Sequence, residues 1–260
     1  MSGPGRGGRL APALLPLATL ALLVVVLGRL GLFDGARLSR GARNLVEFLR
    51  GTVPPDTGIL PVAAGALVES IEMAFAGSLL GFALALPLGL LGTRTLFPLP
   101  VVVAVRVLVG AVRTIPSLLW AVIFVVVVGL GPLAGTLALA VYTVGFLGKL
   151  YAEFFDGVDP EVLEAVRGVG ARRWHLARFV VWPESANQVL SQLVFMFEYN
   201  VRASAIVGLV GAGGIGFYLN AYINTLNYPR VATILLMILG LVLLMDVVST
   251  RVRQRYLLRG

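Results

Sequence analysis

The 260-residue chain has no cysteine, a single histidine and few charged residues. Each shortage removes a class of chemistry. Without cysteine there is no disulfide framework, zinc-thiolate site, iron-sulfur cluster or cysteine nucleophile. His175 has no second histidine and no paired carboxylate at ligand spacing, so it is read as a solvated loop residue and not as a metal ligand. No G-x-x-x-x-G-K-[ST] loop occurs: Gly145 to Lys149 is followed by Leu150 where a hydroxyl is needed. The chain therefore has no ATP site of its own, and no bound cofactor or metal is expected. Charged residues make up 13% of the chain, about half the share a soluble surface carries.

What is abundant is apolar. Hydrophobic residues reach 58% and the mean hydropathy is +0.93, more than a single core can hide, so most helix surface must face lipid. An all-α polytopic membrane protein with about six transmembrane helices follows. The net charge of +8 and pI of about 10.6 would suggest nucleic acid in a soluble protein; in a membrane protein arginines collect in cytoplasmic loops, and no nucleic-acid partner is expected.

Arg6 and Arg9 precede an apolar run from Leu10 to Leu27 with no small-x-small cleavage site after it, which reads as a retained first helix within residues 10–32. Residues 33–62 read as an extramembrane linker with a short helix around Asn44 to Leu49, so residues 1–62 form an N-terminal segment and residues 63–260 the main bundle. Further spans are expected at Leu67 to Leu91, Pro100 to Leu130, Leu133 to Phe155, Val189 to Val210 and Val231 to Val248. Pro116 makes the third of these six either one kinked helix or two pieces meeting at Thr114 to Ser117. With the amino terminus in the cytoplasm, Arg94, the Arg167 to Arg178 cluster and Arg251, Arg253, Arg255 and Arg259 share that side, and the carboxyl terminus joins them. The exception is the linker, whose Arg37, Arg40, Arg43 and Arg50 then lie outside.

Gly211-Ala212-Gly213-Gly214-Ile215-Gly216 matches the G-x-G-x-x-G dinucleotide fingerprint. A dinucleotide site also needs an acidic residue about 20 positions on, and none occurs between Glu198 and Asp246. The alternative is a helix break, beginning at Gly208 and continuing through Gly211, Gly213, Gly214 and Gly216, that leads into a short helix or re-entrant turn at Phe217 to Ile223 near an outer gate.

The polar stretch from Asp159 to Pro183 reads as two short helices. Asp159 suits the N-cap and Pro160 the first helical position, with the first helix running to Arg167. Gly168 and Gly170 allow a sharp turn, helix resumes over Ala171 to Val180 with Arg172 in its first turn, and Pro183 marks entry to the next span. Glu164-Ala165-Val166, three residues, Gly170, nine residues, then Val180-Val181-Trp182-Pro183 resembles the coupling loop of ABC-importer permeases, E-A-A-x3-G-x9-I-x-L-P. Val166, Val180 and Trp182 depart from that pattern but stay apolar. Glu198-Tyr199-Asn200-Val201-Arg202-Ala203-Ser204 running into Gly208 to Gly216, together with Arg113-Thr114-Ile115-Pro116 and Gly148 to Glu153, is similar to the phosphonate-transport permeases.

That resemblance implies a MetI-like type I importer fold in the bacterial inner membrane, carrying phosphonate, phosphite or phosphate. Its implied partners are a second copy of the chain, an extracytoplasmic substrate-binding protein and two ATPase subunits that use ATP and magnesium, gripping Glu164 to Arg178. The alternative on the same scaffold is another anion or an amino acid. An intramembrane enzyme would need a Ser/Lys pair, paired aspartates or HExxH, and none is present. Charge within a span is costly, about 2.5 kcal/mol or more, so Glu198, Arg202 and Arg113 beside Pro116 are the candidate pathway residues, with Arg106 a weaker one. Glu198 and Arg202 stand four apart, so they can equally be a structural ion pair.

Overall fold

The structure is a computed structural model that describes residues 11–257, and every regular element among them is helical. Arg6, Arg9, Leu10 and Arg259, which enter the expected topology, lie outside the described residues. The chain divides into two units, one ending at Pro54 and the other beginning at Pro55.

The first unit holds α1 (Ala11–Arg29) and α2 (Gly35–Gly51). Asp34 caps α2, its Oδ1 accepting from the Arg37 N–H at 3.0 Å. The expected short helix around Asn44 is therefore a helix of 17 residues. Leu38, Ala42, Leu45 and Leu49 recur at helical spacing between the arginines, and that period outweighs the composition.

The second unit opens on Asp56, which caps a 3-10 turn at Thr57–Ile59 through the Gly58 N–H (2.8 Å) and binds Arg230 Nε at 3.0 Å. The hydrogen bond from Arg230 holds the Asp56 carboxyl below the usual carboxylate range. From there α3 (Leu60–Leu91) starts earlier than the expected Leu67. It is followed by α4 (Leu99–Thr114), α5 (Ser117–Val128), α6 (Pro132–Asp156), α7 (Pro160–Gly168), α8 (Arg173–Leu176), α9 (Trp182–Gly208), α10 (Gly214–Asn224) and α11 (Tyr228–Val252).

Three of these, α3, α6 and α11, are long and apolar enough to cross a membrane, and α4 with α5 is long and apolar enough only as a pair bent by 88°, the geometry of a broken span or a re-entrant loop. Pro116 thus splits the third span into two helices. Of the other two expected spans, α9 has the length but carries Glu184, Asn187, Gln188, Glu198, Asn200 and Arg202, whereas α1 is apolar over the shorter stretch Leu15–Arg29.

The spine of the unit is the parallel pair α3 and α6. Gly77, Gly81, Ala85 and Gly89 fall every fourth residue on α3, so they form one small-residue stripe that lets the backbones approach. A Cβ at Gly77 would lie 2.8 Å from that of Leu139, and one at Gly89 only 2.6 Å from that of Tyr151. Asn200 of α9 fastens a third helix to the pair, its Nδ2 donating to Ser78 Oγ and Thr143 Oγ1, both at 2.9 Å. Overpacking such a contact costs about 1–3 kcal/mol. Gly89→Leu should therefore lower the unfolding temperature in detergent, whereas Gly240→Leu, which has nothing within 4 Å, should not. Equal melting of the two variants would refute the packing assignment.

Candidate functional site

The loop after α6 is built as the sequence predicts at its start. Asp159 Oδ1 accepts from the Glu161 N–H at 2.9 Å and Pro160 opens α7. Leu163 is buried and Val166 half-buried in a cluster with Phe155, Val158 and Leu176, which fixes the helix to the bundle and leaves Glu164 and Ala165 exposed on its other face. Arg167 donates to the Thr95 carbonyl, tying α7 to the α3–α4 connection. Arg94, Thr95, Arg167 and Arg173 line a cleft of about 380 Å³ beside it.

Gly168 ends α7, and Val169 stands 85% exposed. Gly170 has φ +83°, and its N–H donates to the Arg167 carbonyl at 2.9 Å. A Cβ there would meet nothing within 4 Å, so the constraint is the left-handed backbone and not space. Ala171 and Arg172, expected to be helical, are instead the exit from this turn, and helix resumes at Arg173. His175 is exposed, and its Nδ1 accepts from the Arg172 N–H at 3.3 Å, an end-of-helix tie.

Pro183 does not begin a separate helix. A π turn at Ala177–Val181, closed by the Trp182 N–H on the Ala177 carbonyl, runs straight into α9. Proline lacks the N–H for the ordinary bond four residues back, and the widened turn just ahead of it accommodates that loss.

At the far end, α9 stops at Gly208 and Gly211, Gly213 and Gly214 all take positive φ (+87°, +86° and +69°) before α10 begins. The turn is clamped from outside. Glu69 of α3 accepts from the Gly214 N–H at 2.6 Å, Ser70 Oγ accepts from the Ile215 N–H at 2.9 Å, and the Gly131 N–H donates to Gly211 O at 2.9 Å. A Cβ at Gly208 would come within 2.7 Å of Gly216 Cα, so the end of α9 crosses the start of α10 in backbone contact. The glycine fingerprint is thus a helix-to-helix turn capped by a carboxylate. Sequence reasoning missed Glu69 and Ser70; a carboxylate inside an apolar run was the available signal.

Between the two ends, Arg113 lies over the Phe146 ring at 5.0 Å. Phe146 stacks on Phe195 (6.2 Å) and Tyr142 on Tyr199 (5.5 Å). All these residues, and Ser117 just past Pro116, are half-buried, so the chain presents this aromatic face without closing over it. Arg106 does not join them: it binds Asp156 Oδ2 at 2.6 Å and the Gly92 carbonyl at 2.8 Å, a tie at the loop end of α6.

Glu198 and Arg202 do pair. The buried Glu198 also accepts from Ser249 and lies 3.7 Å from Arg253, two partners on and just beyond α11 that the i, i+4 reading did not supply. Two arginines share one carboxylate, so the cluster keeps net positive charge with Arg202 46% exposed. Arg202→Gln alone should leave the protein folded, because Arg253 still neutralises Glu198. Arg202→Gln with Arg253→Gln strands a buried carboxylate, at roughly 3–5 kcal/mol, and Glu198→Gln should restore that double variant. Thermal unfolding in detergent reads all three; a double variant as stable as the parent would sink the shared-carboxylate account.

Residues 85–257 match the family described as binding-protein-dependent transport system inner membrane component. The chain is 36% identical over 227 residues to a phosphite transport system permease protein of Stutzerimonas stutzeri, covering 87% of this chain and 82% of that one. It is 37% identical over 205 residues to a phosphate-import permease protein of Mycolicibacterium smegmatis, spanning 78% of this chain but 38% of that longer protein. Its fold matches the inward-facing MetNI methionine ABC transporter with a TM-score of 0.66 at 24% identity, over 76% of this chain and 98% of that one. Matched over most of its length, the chain belongs to the family of inner-membrane components of binding-protein-dependent transport systems.

Proposed function

We propose that the chain is the permease of an ATP-driven importer for a phosphorus oxyanion such as phosphite, phosphonate or phosphate. It works as two copies with two ATPase subunits, which use ATP and magnesium, and an extracytoplasmic binding protein. The observation that carries the coupling part is the loop: Leu163 anchors α7 while Glu164, Ala165 and Val169 are presented outward and Gly170 sets the angle to the following helix. A surface so exposed and so firmly backed suits the grip of an ATPase. The loop end is then cytoplasmic, as are both termini, and the glycine turn of residues 208–216 is an outer gate facing the binding protein.

The oxyanion reading rests on the relatives that carry phosphite and phosphate and on positive charge beside an unclosed face. Arg113 and Arg202 would attract an anion along a pathway shared by the two copies without holding it tightly. Glu198 serves this by fixing Arg202, and the Pro116 break by turning α5 away from α4.

A residue other than glycine at φ +83° costs about 1–2 kcal/mol, which the loop relieves by changing the angle between α7 and α8. Gly170→Val reconstituted with its ATPases and binding protein should therefore assemble but lose most uptake. Normal import with normal stimulation of ATP hydrolysis would disprove the coupling role. Uptake of an amino acid or a quaternary amine by the parent complex, with none of phosphite, phosphonate or phosphate, would overturn the substrate class.

A further inference from the structure

In α2 no residue is buried, yet its pattern is that of a helix with a partner. Leu38, Ala42, Leu45 and Leu49 form one stripe at spacings of four, three and four, widened by Val46, and Leu38, Leu45, Val46 and Leu49 are all exposed. The rest of the helix carries Arg37, Arg40, Arg43 and Arg50 against the single acid Glu47. Such a helix, low in average hydrophobicity but sharply two-faced and arginine-rich, fits the boundary between water and lipid tails.

The element before it sets the location. Leu17, Leu20, Leu22, Leu23 and Val25, at successive angles around α1, are all exposed, so α1 needs lipid on every side. A tight turn follows directly, with the Gly31 N–H on the Gly28 carbonyl, the Leu32 N–H on that of Leu27 and the Asp34 N–H on that of Gly31. Where α1 leaves lipid, α2 begins.

We propose that α2 is an interfacial helix that seats its leucine stripe among acyl chains and holds its arginines on the phosphates of anionic lipid. The four arginines that the positive-inside rule leaves unexplained in a translocated segment are then headgroup ligands, each drawn to an anionic surface. The same leucine spacing could pair two helices, but 17 residues is little more than two heptads, and like-charged arginines flank the stripe on both sides.

The cysteine-free chain allows single spin labels. In the full-length protein in phosphatidylglycerol bilayers, labels at Leu45→Cys and Leu49→Cys should collide severalfold more with oxygen, relative to an aqueous nickel chelate, than labels at Arg43→Cys and Asn44→Cys. Changing all four arginines to glutamine should lower that ratio at position 45. Equal ratios at positions 43 and 45, or dipolar broadening between labels at 45 that reports two paired copies, would overturn the proposal. A ratio at 45 indifferent to the arginine changes would overturn its anionic-lipid part. The labelled positions are exposed, so loss of folding does not cloud the result.

Discussion

The backbone-close packing of α3 against α6 is the constraint on which the rest of the second unit depends. In lipid no hydrophobic force drives one apolar helix onto another, so association relies on close contact. The stripe Gly77, Gly81, Ala85 and Gly89 supplies it by keeping the α3 side minimal, so that the Cβ atoms of Leu139, Thr143 and Tyr151 seat against the α3 backbone. Both helices run the full distance from the glycine turn to the polar loop. Glu69 and Ser70 near the start of α3 cap α10, and Asp156 at the end of α6 receives Arg106 and the Arg94 N–H. Once these two helices are interlocked, the polar loop and the glycine turn stand at a fixed separation.

Buried and half-buried carboxylates follow one logic throughout that scaffold. Glu198 is surrounded by Arg202, Arg253 and Ser249, Asp156 by Arg106 and the Arg94 backbone, and Glu69 faces the N–H groups that open α10. An unpaired carboxylate would be expensive at such places, and each carboxylate joins elements that apolar packing alone would not order. Glu198 joins α9 to α11, Asp156 joins α6 to α4, and Glu69 joins α3 to the glycine turn. Polar groups here serve as fasteners in a protein whose apolar surface has no preferred orientation.

Much of this was legible in the sequence, for physical reasons that differ by element. The Asp159-Pro160 helix start and the Gly170 turn are local chemistry, so spacing alone placed them. Pro116 announced a break, but the 88° bend depends on what α5 packs against. The 17 residues of α2 were hidden because polar composition ending in Pro54 and Pro55 suits a linker, while the four-three-four spacing of its leucines and alanine suits a helix. Arg106 stands seven residues before Arg113, a spacing that suggests a shared helix face, whereas the partner it binds, Asp156, is 50 residues away and beyond any local pattern. Arg253 and Ser249 likewise reach Glu198 from 51 or more residues on, contacts that no local pattern encodes.

The unequal stiffness of these joints also decides where motion can occur. Interlocked backbones have few alternative arrangements, so α3 and α6 resist sliding past each other. Against that pair α9 seats Val189, Met196, Ala203 and Val207 in buried contact, and adds the Asn200 bonds, the stacked rings and the Tyr151 hydroxyl on the Val189 carbonyl. It is bounded by a π turn at Ala177–Val181 and by the glycines from Gly208 to Gly214. Of those two boundaries the π turn is where the hydrogen-bond ladder is already irregular, whereas the glycine turn is held from outside by Glu69, Ser70 and Gly131. The freer joint of α9 is therefore at its polar-loop end, and its glycine end is tied to α3 through the start of α10. Glu198 fastens α9 to α11 through Ser249 and Arg253 while Asn200 fastens it to Ser78 of α3 and Thr143 of α6, so α9 is held on both sides at that height.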